Sequence, residues 1–304
     1  MDGLYVSTIK TIAGYLEIIN KYGFDENSNI FYRGQSQYHD KNNETEWNVS
    51  PSVFRNKDRD ESDIYNLIMT ECAHEIEKDA THIEVLCQMQ HYGVPTRLLD
   101  ITKNTLAALF FACVNSNGVI NKDYDGIVYL LRAEKEYIKV YDSDTVSMLA
   151  SIPRFCESDR DGIKKAARQS VKKHEQESDQ ISDFNKNDNA IVQRLLHEIR
   201  KEKPAFKEIM KPKHILNPCI VTPQKKNARI IRQDGAFVLF GLGYDDLAFS
   251  NEQSGISITK KIIVDKNSKD KISYELEHCG ISLKTMYPEM YKVAEYLSRK
   301  KLSF

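Results

Sequence analysis

Hydrophobic positions along this chain follow two rhythms, and their alternation predicts its elements. Ile9, Ile12, Leu16 and Ile19 recur at helical spacing between Ser7, a capping residue, and Gly23, a helix stop. The run Ile30-Phe31-Tyr32-Arg33-Gly34 is β-prone and ends at glycine, and polar residues 35–46 read as a loop. Helical spacing returns over 62–80 and again over 83–90, until Gly93-Val94-Pro95 punctuates the chain. A strand is predicted over 96–100. A helix follows over 105–114, apolar nearly all round and so expected inside the fold. Gly126–Arg132 reads as a strand. Residues 158–189 are polar and poor in aliphatics, which predicts a mobile insertion or an exposed helix. A helix over 191–210 precedes strands over 228–232, 236–240 and 256–264, and two helices, 268–279 and 288–299, close the chain. Strands and helices intermingle without regular β-α-β alternation. That pattern predicts an α+β fold, one domain over 1–304 with a polar insertion.

Composition narrows the class. The chain has 304 residues, 41% hydrophobic and 29% charged, which fits a soluble globular protein. No apolar run approaches the roughly 20 residues of a membrane span. The N-terminal residues lack a basic region followed by an apolar stretch, so a cytoplasmic protein with no membrane partner is expected. Six cysteines lie far apart with no Cys-x-x-Cys pair, so reduced thiols are expected rather than a zinc ribbon or a disulfide scaffold.

The net charge is only -1, yet the window 200–232 carries ten basic residues against Glu202 and Glu208. Lys225, Lys226, Arg229 and Arg232 in that window are candidates for contacting nucleic-acid phosphates; a solvated helix face with a basic loop is the alternative.

Common catalytic motifs are missing. No His-Glu pair is followed by a second histidine at metalloprotease spacing, and no Gly-x-x-x-x-Gly-Lys-Ser/Thr loop occurs. Gly241-Leu242-Gly243 lacks the third glycine of a dinucleotide loop, and no Gly-x-Ser-x-Gly elbow exists. Histidines do not cluster at ligand spacing, so no metal is expected.

Two polar clusters remain among apolar surroundings. In Phe31-Tyr32-Arg33-Gly34-Gln35, an arginine at a strand end beside glycine offers a fixed cationic fork where backbone can approach a ligand. Gln90-His91-Tyr92-Gly93-Val94-Pro95-Thr96-Arg97-Leu98-Leu99-Asp100-Ile101-Thr102 packs several strong hydrogen-bonding side chains, which must pair with each other or with a ligand. The bland alternatives are specific. Arg33 would pair with Asp100, and Asp100 or Thr102 would cap the next helix. Arg97, His91 and Tyr92 would be satisfied core groups, and Gln233 would close a turn.

These clusters resemble the FRG domain family, named for its Phe/Tyr-Arg-Gly motif. Pro51-Ser52-Val53-Phe54-Arg55, the alanine-rich helix, Gln233-Asp234-Gly235-Ala236-Phe237, Gly280-Ile281 and Tyr287-Pro288-Glu289 resemble further family elements, so the likeness runs over about 30–297. Ile101 departs from the usual tryptophan. The likeness implies a component of bacterial phage-defence or toxin–antitoxin loci, with an antitoxin or chaperone partner.

A fainter resemblance is to ADP-ribosyltransferases, which hold NAD with an arginine on an early strand, follow it with a strand–helix unit and bring in a glutamate or glutamine later. It implies a mixed sheet core resembling their split sheet, flanked by helices, with NAD as substrate. Arg33 and Gln233 would be the catalytic residues. Tyr32, Gly34, Gln90, His91, Tyr92, Arg97, Asp100 and Thr102 would surround the nucleotide, and an RNA or DNA acceptor would be modified. The Glu-x-Glu of those enzymes is missing at Gln233-Asp234-Gly235. A noncatalytic nucleotide- or phage-sensing module is therefore the alternative.

Overall fold

A computed structural model of the chain describes residues 5–23, 29–38, 49–55, 59–115, 117–186, 188–243 and 255–299. Most of the loop expected over 35–46 lies outside these. The described strands are Tyr5–Ile9 (β1), Asn29–Gln35 (β2), Leu98–Thr102 (β3), Gly126–Ala133 (β4), Ile138–Val140 (β5), Cys219–Thr222 (β6), Gly235–Leu239 (β7) and Ile256–Val264 (β8). They form one open mixed sheet in the order β1-β8-β4-β2-β3-β7-β6-β5, parallel at the β1–β8 and β5–β6 pairs and antiparallel elsewhere.

Helices flank it. They are Ile12–Tyr22 (α1), Ser52–Arg55 (α2), Glu61–Glu71 (α3), His82–His91 (α4), Thr105–Cys113 (α5), Asp144–Ala150 (α6) and Glu157–Lys173 (α7). After these come Glu177–Phe184 (α8), Ala190–Glu202 (α9), Pro212–Leu216 (α10), Ala228–Gln233 (α11), Lys269–His278 (α12), Leu283–Met286 (α13) and Met290–Arg299 (α14). The fold is α+β, as the intermingled elements predict.

The pairing around β2 matters most for the site. β2 lies against β4 along its whole length, from Asn29 opposite Ala133 to Gln35 opposite Ile127. Against β3 it has a single register pair, Tyr32 opposite Thr102. Beyond that pair the strands part, and the sheet opens at its middle. The core divides at the same place. Tyr32, Val128, Leu130 and Ile262 pack under α1, α5 and α12, while Leu98, Val221, Phe237 and Leu239 pack under α3, α4 and α6. The other face stays continuous through Phe31, Leu99, Ile101, Ile127 and Val238.

α5 is buried almost throughout, at Ala107, Ala108, Leu109, Phe110, Ala112 and Cys113, as its all-round apolarity predicts. Its cap is Asn104, whose side chain accepts from the amides of Leu106 and Ala107, rather than Asp100 or Thr102. The helix sits so close to the sheet that a Cβ on Gly34 would lie 1.9 Å from the Ala108 carbonyl oxygen, and one on Gly126 2.0 Å from that of Ala112. Gly34 thus admits the helix backbone, and it also borders the cleft where β2 and β3 part. Gly34→Ala is expected to destabilise the fold by about 1–3 kcal/mol or more, because rigid backbone blocks the added carbon. Chemical denaturation against wild type measures it, and an unchanged midpoint would refute this reason for the glycine.

Three expectations need correction. Residues 228–232 form part of helix α11 rather than a strand, because Asn227 caps the turn by accepting from the Arg229 amide. For the polar stretch 158–189 only the mobile-insertion alternative is corrected, since the helical one holds as α7 and α8. Ile163, Ala167 and Phe184 bury a narrow stripe against Leu195 and Ile199 of α9. Ser7 lies in β1, and Thr11 caps α1 by accepting from the Gly14 amide.

Candidate functional site

Where β2 and β3 part, a cleft of about 440 Å³ opens. Its walls come from β2 and the residues after it, from β3, from the end of α5, and from Arg55, Arg229, Gln233 and Tyr287. A second chamber of about 350 Å³ lies beside it, beneath α4 and α11, and shares Asp100, Ile101, Arg229 and Gln233 with the first. Segments far apart in sequence therefore converge on one two-chambered hollow.

Arg33 spans the gap. Its Nη1 donates to the Asp100 carbonyl at 2.7 Å, so the guanidinium bridges β2 to β3 through backbone rather than through the Asp100 carboxylate. Its Nε is buried and, among the described residues, has no hydrogen-bond partner; nor does the buried Oε1 of Gln35, which lines the same cleft. A buried donor left unmade costs about 1–3 kcal/mol, so two such atoms in one cleft mark a place that a ligand would satisfy. Burial pulls the Arg33 guanidinium below its ordinary value; the Asp100 charge opposes this and Arg55 adds to it. Arginine stays charged regardless. Arg33, Arg55 and Arg229 face the first chamber, and Asp100 is the only carboxylate among its lining residues.

The Asp100 carboxylate accepts from Gln90 Nε2 at 2.7 Å, and Gln90 Oε1 accepts from the Thr96 hydroxyl at 2.7 Å. This relay holds Asp100 between the chambers. Thr102 donates to the Gln233 carbonyl and accepts from the Asn104 amide, fastening β3 to the turn before β7. The Gln233 Nε2 donates to the Met286 carbonyl at 2.9 Å, and Asp234 adopts a left-handed conformation, φ 43°, that turns the chain from α11 into β7. Arg229 stacks on Tyr287 with its guanidinium carbon 4.5 Å from the ring centroid.

Other expected site residues are differently placed. Arg97 is 1% exposed and grips Glu61 through Nε and Nη2 while Nη1 donates to the Phe240 carbonyl; it is a core residue and lines neither chamber. Tyr32, 6% exposed, belongs to the core cluster that holds Tyr15 and α5 and also borders the first chamber. Tyr92 is 68% exposed at the mouth of the second chamber, with its ring edge-on to His91. Cys87 lines that chamber too, but burial pushes its thiol up, which removes it as a nucleophile.

The basic window is largely neutralised by acids, most of them from outside it. Arg200, Lys201, Lys203 and Lys211 pair with Glu208, Glu198, Asp144 and Glu177. Lys225 pairs with Asp234, and Lys226 with Glu77 and Glu84. Arg229 enters the cleft rather than the outer surface, and Arg232 is exposed.

Sequence reasoning overlooked Lys269. It is 0% exposed, and its Nζ donates to the carbonyls of Ser36 and Tyr124, fixing the strand end that borders the cleft. Burial brings its pKa down to about 8. Nothing in its exposed-looking sequence neighbourhood signals this.

Residues 28–119 match the family model of the FRG domain. This stretch supplies Arg33, Arg55, Asp100 and Thr102, one side of the cleft. Arg229, Gln233 and Tyr287 come from beyond it. No curated protein and no solved structure matches the chain. No described helix is long and apolar enough to cross a membrane.

Proposed function

We propose that this protein is an NAD-consuming ADP-ribosyltransferase-like effector, the toxin component of a bacterial phage-defence or toxin–antitoxin system. The observation that carries the reading is the cleft itself: three guanidinium groups against one carboxylate, orphaned buried polar atoms, and an adjoining second chamber. A cationic hollow in two compartments suits a dinucleotide, with its pyrophosphate on Arg33 and Arg229 and its two nucleoside halves on either side. Tyr287, braced by Arg229, offers a face for a base. Gln233, at the shared wall, is placed to hold a ribose. Incubation with NAD labelled in the adenosine half, with RNA, DNA and protein as acceptors, tests this. Nicotinamide release with transfer of label is the expected result.

A second reading has its own support. Asp234 is occupied by Lys225, and Gln233 has no carboxylate, so the turn before β7 presents no free acid to the cleft. A noncatalytic sensing module would bind NAD or a related nucleotide without consuming it, and the same assay separates the two.

Nucleic acid is the acceptor we favour, because Lys226 and Arg229 line the second chamber and Lys225 and Arg232, their neighbours in sequence, are exposed. Lys225→Glu with Lys226→Glu is expected to weaken binding to single-stranded RNA or duplex DNA at low salt, and wild-type affinity should fall steeply as salt rises. Titrations that are equal and insensitive to salt would remove nucleic acid as acceptor.

A further inference from the structure

Glu289 carries an uncommon feature for a carboxylate. Both of its oxygens are buried and, among the described residues, neither has a hydrogen-bond partner. His91 lies beside it, with Nε2 3.6 Å from Oε1. His91 ends α4 and lines the second chamber, close to the wall that Gln233 and Arg229 share with the first. On its other side, Nδ1 lies 3.5 Å from the Asn227 amide nitrogen. A carboxylate beside Nε2 and an amide donor beside Nδ1 select one tautomer: the proton sits on Nε2, and the Nδ1 lone pair is met only by the long Asn227 contact, which a closer donor in the chamber can replace.

We infer that His91 is the base that deprotonates the ADP-ribosyl acceptor and that Glu289 is its positioning residue. The inference rests on the transferase reading and answers its weak point, the absence of an acid at Gln233-Asp234-Gly235. The acceptor's oxygen or nitrogen lone pair forms a bond to the ribose C1′. The C1′–nicotinamide bond breaks, and its electron pair neutralises the pyridinium. Nicotinamide thus leaves neutral and needs no acid. The acceptor displaces the long Asn227 contact, its proton passes to Nδ1, and the resulting imidazolium is stabilised by Glu289. Only an acceptor that must lose a proton needs such a base, which points to a hydroxyl or a nucleobase N–H rather than a carboxylate.

The charges around the ring agree. Burial and the Arg229 charge pull the His91 pKa down while Glu289 pulls it up, so the ring is neutral and able to accept a proton near pH 7. Tyr287 stays protonated beside it because burial pushes its hydroxyl up, and Glu84, Asp100 and Lys226 are the nearer-surface charges of the same chamber.

The test compares wild type, His91→Ala and Glu289→Gln, with nicotinamide release and label transfer followed across pH and NAD binding measured in parallel to report the fold. His91→Ala is expected to lose about a hundredfold or more in transfer and to regain part of it with added imidazole. Glu289→Gln is isosteric, and it should move the acid limb of the pH–rate profile to lower pH, because the charge that raised the His91 pKa is gone. Full transfer by His91→Ala, or an unmoved acid limb in Glu289→Gln, would overturn the assignment while the transferase reading stood. A wild type that binds NAD without releasing nicotinamide would overturn both.

Discussion

Replacing Arg33 with alanine is expected to abolish NAD consumption, and with it any toxicity, while leaving most of the fold in place. Its Nη1 already holds the Asp100 carbonyl, and its Nε is buried and unsatisfied, so the remaining edge of the fork is presented to the cleft. Charge-assisted hydrogen bonds of this kind are worth about 1.5–3 kcal/mol each, so losing a bidentate grip on phosphate costs hundreds-fold or more in binding and turnover. Arg33→Lys should be impaired as well, because a point charge cannot bridge to Asp100 and grasp a phosphate together. The stability cost of the alanine is smaller, about 1 kcal/mol for one backbone-directed hydrogen bond. Turnover and thermal unfolding measured together decide. A folded Arg33→Ala protein with wild-type activity would sink the assignment of this residue.

The second large effect concerns stability. Arg97 and Glu61 form an ion pair inside the core, with Glu61 at the start of α3 and Arg97 just before β3, so the pair ties the helix layer to the middle of the sheet. Replacing Glu61 with alanine strands the guanidinium among apolar groups with only the Phe240 carbonyl left to it. The expected loss is about 3–5 kcal/mol, enough to lower the yield of folded protein sharply. Combining Glu61→Leu with Arg97→Met removes both charges and should recover much of the loss, since a desolvated pair returns little net stability over well-packed apolar groups. Urea denaturation of the three proteins checks the order: Glu61→Ala weakest, the double variant intermediate or better. A single variant as stable as wild type would show that the pair is not the tie it resembles.

Much of this could be read from residue order. The all-apolar 105–114 segment, the Ile256–Val264 strand and the Arg33 strand end announce themselves, because burial on both faces or strict local patterning leaves few alternatives. α11 did not, since Ile230 and Ile231 favour a strand and only the Asn227 cap and the left-handed Asp234 turn the balance. α7 and α8 were obscured because a narrow apolar stripe carries them within a charged sequence. The partner of Arg97 was invisible for a different reason: it lies 36 positions away. Glu289 likewise reads as an ordinary surface acid until the fold sets it beside His91. Long-range electrostatic pairing is the information that local pattern lacks, and it also dissolved the basic window, whose lysines find their counter-charges on other elements.

The parting of β2 from β3 has a mechanical consequence. With one rung joining them and a core that is divided on one face but unbroken on the other, the sheet is built like a book bound along a single spine. Small opening motions there cost little, because each half keeps its own apolar packing. A molecule lying in the gap, held by Arg33 from one leaf and Arg229 and Gln233 from the other, becomes the clasp. It would quieten amide exchange along β3 and raise the unfolding temperature in proportion to its own concentration, even in a variant that has lost all chemistry.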